Sequence, residues 1–305
     1  MKSDAARGHL AAFVTILIWG TTFISTKVLL RTFTPIEILL IRFVIGYAVL
    51  WCVRPRRLKA ADKKQELYFA AAGLCGITLY YLLENIALTY TLASNIGVII
   101  SIAPFFTAIF AWLFLREKRP GSRFFLGFFI AMAGIMLLSF GKDKNLQINP
   151  IGDFLGIAAA VIWAVYAILT KKISGFGYHT ILTTRRIFFY GLVFMVPTSC
   201  VMGVHVEFRD LTGSGVIPNL LFLGLGASAL CFVTWNTAVK RLGSVKTSVY
   251  IYMVPVITAV TSALILRERV TATVVCGIAL TLMGLFLSEK RVQKKGAFIH
   301  GTKRK

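Results

Sequence analysis

Ten stretches of roughly twenty residues, each nearly free of charge, run through this chain and decide most of what it can become. A bilayer core about 30 Å thick is crossed by about 20 apolar residues in helical form. Inside it the backbone polar groups must be satisfied within the segment. The stretches lie near 9–30, 35–53, 67–91, 94–115, 123–140, 153–172, 179–203, 216–238, 245–266 and 270–288. They are too long for the core helices of a soluble domain. Charged residues are only 15% of the chain, against about 25% in a soluble globule, so most of the surface cannot face water. An all-α integral membrane protein with ten transmembrane helices follows. The longest polar interruptions, 54–66, 141–152, 204–215 and the tail from Glu289, are too short for an extramembrane domain.

The net charge of +22 would suit a nucleic-acid partner if it formed one face. It is instead parcelled into loops, which is how topology is encoded. With the N-terminus in the cytoplasm, the basic loop 54–66, Arg116 to Arg123, Lys171 and Lys172, Lys240 to Lys246 and the tail from Lys290 all fall on the inner side. Twenty-four Lys and Arg then lie inside, seven outside and three within spans. Both termini are expected in the cytoplasm of a cell-membrane protein, and no nucleic acid is expected. The apolar N-terminal run continues into a full span, so no cleavable signal peptide is expected. Five scattered cysteines with no metal spacing read as small hydrophobes.

An internal repeat sharpens the architecture. Leu115-Arg116-Glu117 returns as Leu266-Arg267-Glu268, and the same offset of 151 aligns Pro104 with Pro255, Asn85 with Asn236 and Ala87 with Ala238. Gly127 and Gly134 match Gly277 and Gly284 after one residue of slippage. Upstream, an offset of 144 aligns Trp19 with Trp163, Lys27 with Lys171 and Arg42 with Arg186. The chain thus reads as residues 1–140 and 153–288, two five-span units, followed by a basic tail, 289–305. Five is odd, so the second unit enters the membrane from the opposite side. Two inverted five-helix repeats place a substrate site near their interface at mid-membrane.

Ionisable groups inside a membrane are costly and point to function. Glu84 and Arg42 share a depth about 10 Å below the outer surface at 1.5 Å per residue, and are expected to pair. That pair reads equally as a static lock or as a partner for which substrate or proton competes. Arg186 stands at the Arg42 position of the second unit, but Glu84 maps onto Trp235, leaving Arg186 without a symmetric carboxylate. It either meets a substrate anion or snorkels to the inner surface. Arg185 is expected at the interface, as are Lys27 and Lys171. Trp19 and Trp163 lie mid-span and are expected to face one cavity, with further lining from Tyr80, Asn85, Tyr166 and Asn236, and from Tyr81, Asn95, Tyr250 and Tyr252. Pro104 and Pro255 break their helices in equivalent places and suit hinges or gates. The paired glycines mark close helix packing.

No HExxH, GxSxG or phosphate-cradling loop occurs, and the four histidines stand at helix ends or in loops. No catalytic residue, metal ligand or cofactor is expected. The proline-broken helix ending in Leu-Arg-Glu, the Gly-x6-Gly helix after it, Ile18-Trp19-Gly20-Thr21-Thr22-Phe23 and Ala87-Leu88-Thr89-Tyr90-Thr91 together resemble the EamA repeat of the drug/metabolite transporter superfamily. The resemblance covers the whole chain. It implies ten spans in an inverted arrangement, an inner-membrane carrier exporting amino acids or related metabolites, and a cavity that includes Trp19, Tyr80, Glu84, Asn85, Trp163, Tyr166 and Asn236. The first-span acid that couples protons in small four-helix relatives is missing here. Secondary transport of a small molecule by alternating access, with protons through Glu84 as one means of coupling, is the expected function. An uptake carrier or antiporter for an organic anion or phosphorylated metabolite, using Arg186 and Lys171, is the alternative. A channel and a lipid-directed enzyme are the other classes. The pattern leaves oligomeric state open.

Overall fold

The computed structural model describes residues 2–91, 93–140, 149–205, 208–213, 215–257, 260 and 271–289. These residues form helices and no strand. Seven helices are long and apolar enough to cross a membrane. In chain order they include α1 (Lys2–Leu29), α2 (Pro35–Val53), α3 (Lys63–Tyr90) and α4 (Asn95–Leu115). After α5 (Ser122–Phe140) come α6 (Pro150–Ser174), α7 (Thr180–Met202) and α8 (Val216–Leu242). α9 (Ser244–Ile257) and α10 (Ala272–Glu289) follow. The apolar parts of α5, α9 and α10 are shorter. The second Leu-Arg-Glu, the end of the ninth expected span and the basic tail lie outside the described residues.

Local chemistry sets the helix ends. Thr34 and Glu37 close a reciprocal capping box ahead of α2, with Pro35 at the first helical position. Asp62 caps α3 by accepting from the Gln65 N–H at 2.7 Å. Asn149 accepts from Ile151 and Gly152, and Pro150 opens α6. α1 begins seven residues before the expected span, because no proline interrupts 2–9 and Asp4 suits the positive helix start. Asp4 also pairs with Arg241 at the end of α8.

Burial is arranged as a bilayer demands. Leu10, Phe114, Phe129, Phe154 and Phe286 lie on the outer surface, whereas Trp235, Arg42, Tyr166 and Tyr252 are fully buried. Such large exposed apolar faces are tolerable against lipid and not against water. α5 and α10 cross backbone to backbone through the paired glycines. A Cβ added at Gly284 would lie 2.4 Å from the Ala131 nitrogen, and one at Gly134 2.5 Å from the Thr281 nitrogen. The glycines do mark close packing.

The interior pairings come in matched sets. α1 packs on α8 and α6 on α3; α2 packs on α8 and α7 on α3. Each of α3 and α8 also widens into a π-helical segment, at Leu74–Leu79 and Phe222–Leu230. Under the 151 offset the first maps onto 225–230, inside the second. π segments add a residue per turn and often mark functional positions. Here they make the contacts that hold α1, α2, α6 and α7 in place.

Candidate functional site

A cavity lies between α1, α3, α4, α6 and α9, lined by Trp19, Thr22, Phe23, Tyr80, Tyr81, Glu84, Ile100, Trp163, Ile251 and Val254. It contains about 430 Å³ of space between atoms, of which the centre of a water molecule can reach about 30 Å³. That is room for about two waters, so a metabolite needs the helices to part.

Trp19 and Trp163 meet edge to face at 5.2 Å between ring centroids. The expectation that they share one cavity holds. Their indole N–H groups differ. Trp19 donates to the Ala227 carbonyl in the α8 π segment at 3.0 Å. Trp163, only 2% exposed, has a buried N–H with no acceptor among the described residues. The place equivalent to Ala227 is Gly76, and there the Tyr166 ring comes so close that a Cβ would lie 2.2 Å from it. Only glycine fits under Tyr166.

Tyr80 packs on Trp163 at 4.7 Å and on Tyr81 at 4.8 Å. Glu84, one turn on, is 4% exposed and lines the cavity beside Tyr80. Among the described residues lining the cavity, Glu84 alone carries a charge. The expected Arg42–Glu84 pair is not formed. Arg42 donates from Nε to the Ser228 hydroxyl at 3.0 Å and sets its guanidinium 4.4 Å from the Tyr81 ring centroid. Shared depth brought the two to one level, but helix rotation turned Arg42 toward the α8 π segment.

Four of the eight expected binding residues line this cavity: Trp19, Tyr80, Glu84 and Trp163. Asn85 does not. It is fully buried and donates to the Pro35 carbonyl at 3.4 Å, tying α3 to the start of α2. Tyr166 and Asn236 form a barrier below it. The Tyr166 hydroxyl donates to Asn236 Oδ1 at 3.1 Å, and Asn236 Nδ2 donates to the Thr184 hydroxyl at 3.0 Å. The Tyr166 ring stacks on Trp163 at 4.9 Å. On its far side Asn236 lines a second, more polar pocket with Thr170, Ser174, Tyr178, Thr183 and Lys240.

Arg186 is removed from both pockets. It holds Glu66 through two hydrogen bonds, at 3.1 and 2.6 Å, with the Tyr190 hydroxyl donating to the same carboxylate at 2.7 Å. Its counter-charge was hidden in sequence because Glu66 falls just outside the apolar run. Arg185, 4% exposed, donates to the carbonyls of Arg54 and Arg56 in the basic loop after α2 and lies over the Trp51 ring. Lys27 caps the end of α3 through the carbonyls of Leu88 and Thr91. Tyr252 and Tyr250 are off the cavity, Tyr250 bonding His9.

Pro104 follows a break at Ser101–Ile102, and Pro255 follows a 3₁₀ turn at Tyr250–Tyr252. Neither proline has an N–H to give the carbonyl four residues back. Those residues, Ile100 and Ile251, both line the cavity. They were missed at the sequence level, although counting back one turn from each proline finds them.

The EamA-like transporter family model matches residues 6–140 and 150–289. An uncharacterized transporter of Archaeoglobus fulgidus is 29% identical over 93% of this chain and 97% of its own. The uncharacterized transporter YvbV of Bacillus subtilis is 28% identical over 94% and 93%. A probable terminal-alkyne amino-acid exporter of Streptantibioticus cattleyicolor is 25% identical over 92% and 93%. A solved crystal structure shares the fold with a TM-score of 0.73 at 18% identity, over 95% of this chain and 99% of that one. The chain is a multi-pass membrane transporter and belongs to the EamA-like transporter family.

Proposed function

We propose that this protein is a secondary transporter that exports amino acids or related small metabolites across the cell membrane by alternating access. One observation carries the reading. Trp19 and Trp163, equivalent in the two halves, wall a narrow cavity whose sole charged lining residue among those described is Glu84. Below it the Tyr166–Asn236–Thr184 network separates the cavity from the second pocket. A site with a barrier on one side is what a carrier presents when it is closed toward that side.

The three shorter helices complete ten spans in this reading, arranged as two inverted five-helix repeats over 1–140 and 153–288. The matched pairings of α1 with α8 and α6 with α3, and the two π segments, support it. Rocking of the halves about the cavity, with Pro104 and Pro255 as hinges, exposes the site to each side in turn. The end carrying Arg54, Arg56, Lys172, Lys240 and Arg241 faces the cytoplasm, with both termini there. Glu84, the one acid at the site, couples protons to the cycle.

The related exporter from Streptantibioticus cattleyicolor supports an amino-acid-like cargo. The organic-anion alternative loses its support, because Arg186 is already neutralised by Glu66 away from the cavity. Uptake by proteoliposomes tests the function. Saturable flux of an amino acid or amine, reduced tenfold or more in Trp163→Ala, is expected. Flux that stays linear with concentration and is indifferent to Trp163 would replace the carrier with a channel.

A further inference from the structure

We infer that the cavity at Glu84 selects cargo bearing a protonated amine and discriminates against cargo bearing a carboxylate, so that an organic amine, rather than the parent amino acid, is its preferred substrate. The inference rests on the transport reading and narrows it.

The charge around the site argues first. Glu84 is the charged group among the described residues on the wall. Arg42 donates from Nε to Ser228 and sets its guanidinium over the outer face of this wall at the Tyr81 ring, with Nη2 unpaired among the described residues, while Lys27 is held by the carbonyls of Leu88 and Thr91 at 2.6 and 3.2 Å. Neither lines the cavity. A substrate carboxylate here would lose its hydration beside a like charge, with no cation on the described cavity wall to replace the water. An ammonium meets the opposite situation.

The rings argue next. Tyr80, Tyr81, Trp19 and Trp163 form a chain of aromatic contacts with centroids 4.7 to 5.2 Å apart around Glu84. Aromatic faces attract cations, tryptophan most strongly, and the attraction grows when water is excluded.

The backbone adds an acceptor. Pro104 denies the carbonyl of Ile100, a residue of the cavity wall, its helical donor. An ammonium has three N–H donors and no acceptor, so a carboxylate and a carbonyl are the kind of partners it needs. The single orphaned donor on the wall, the Trp163 indole N–H, brings a hydrogen bond but no charge. It suits a hydroxyl or carbonyl on the cargo and cannot balance a carboxylate.

The test uses two sets of molecules that differ by one group, titrated calorimetrically into the full-length protein in lipid nanodiscs at neutral pH. One set is butylamine, norvaline and pentanoate; the other is 2-phenylethylamine, phenylalanine and 3-phenylpropionate. The amine of at least one set is expected to bind, the matching amino acid at least tenfold more weakly and the acid not at all. Glu84→Gln is expected to weaken the amine tenfold or more. The wild-type order decides the question alone if that variant does not fold. An amino acid equal to or tighter than its amine, an acid that binds best, or no binding by any of the six overturns the inference. The transport reading fails separately, if a ligand that binds shows no saturable flux in proteoliposomes.

Discussion

Removing one hydroxyl from the barrier should open the inner side of the protein. In Tyr166→Phe the ring keeps its contacts with Trp163 at 4.9 Å and Phe232 at 5.9 Å, so packing is preserved. What disappears is the 3.1 Å bond to Asn236 Oδ1. Asn236 keeps its bond to Thr184 but is left with a buried acceptor. Losing such a bond costs about 1 kcal/mol net, and leaving the partner unsatisfied costs about 1–3 kcal/mol. In the inward-open form the same acceptor meets water and loses little. The closed state is therefore weakened relative to the open one by about 1–3 kcal/mol, a factor of roughly 5 to 150 in the equilibrium. Thr183, 6% exposed and on the wall of the second pocket, reports the change. With the five native cysteines replaced, a Thr183→Cys reporter should react at least fivefold faster with a membrane-impermeant maleimide when Tyr166→Phe is added. An unchanged labelling rate, with the melting temperature lowered, would refute the barrier and leave the network a purely structural lock.

Four further outcomes follow from the same geometry. Gly76→Ala places a methyl 2.2 Å from the Tyr166 ring; it should destabilise by about 1–3 kcal/mol, read as a lower melting temperature, and Tyr166→Ala in the same chain should restore part of it. Arg186→Ala should lower stability by about 1 kcal/mol, since the pair is partly exposed, and leave ligand affinity unchanged; loss of anion binding would revive the antiporter alternative. Glu84 has Tyr80 and Tyr81 on its own helix and the Arg42 charge from α2, unpaired among the described residues, as its titratable neighbours; transport should vary between pH 6 and pH 8 in the wild type and not in Glu84→Gln, and identical profiles would remove proton coupling. The His179 imidazole accepts from the Ile181 N–H at the start of α7, and burial with the nearby Arg54 and Lys240 charges lowers its pKa below the usual histidine value of 6.5. A base depressed in the folded state supports stability above pH 6.5 and loses that support as pH falls through its folded value, so the wild type should lose thermal stability in acid where His179→Asn does not.

How far the sequence reaches depends on which coordinate of a helix matters. Depth is written in residue number, so the seven long apolar helices and the common level of Trp19, Trp163 and Glu84 could be read directly. Rotation is not. Arg42 and Glu84 share a level, yet Arg42 faces Ser228 because the α8 π segment shifts the helix register beside it. The π segments have only a faint signature, the small residues Gly73 and Gly76 against Gly224 and Ala227. The partner of Arg186 stays hidden for a different reason. Glu66 sits at the polar start of α3, where an apolar-run search stops counting. Asn85 and Asn236 are equivalent by alignment but not in partners, one holding Pro35 and the other closing the barrier with Tyr166. In the two-repeat reading, the asymmetry that builds the site lies in side chains that differ: Glu84 against Trp235, Tyr166 against Thr22.

Counterflow in proteoliposomes addresses the carrier claim most directly. Vesicles preloaded with an unlabelled amine that binds are diluted into a trace of the labelled compound. An alternating-access carrier must accumulate label transiently above its outside concentration, and Glu84→Gln or Trp163→Ala should abolish the overshoot. Simple equilibration without overshoot, at a rate indifferent to the preload, would contradict the account.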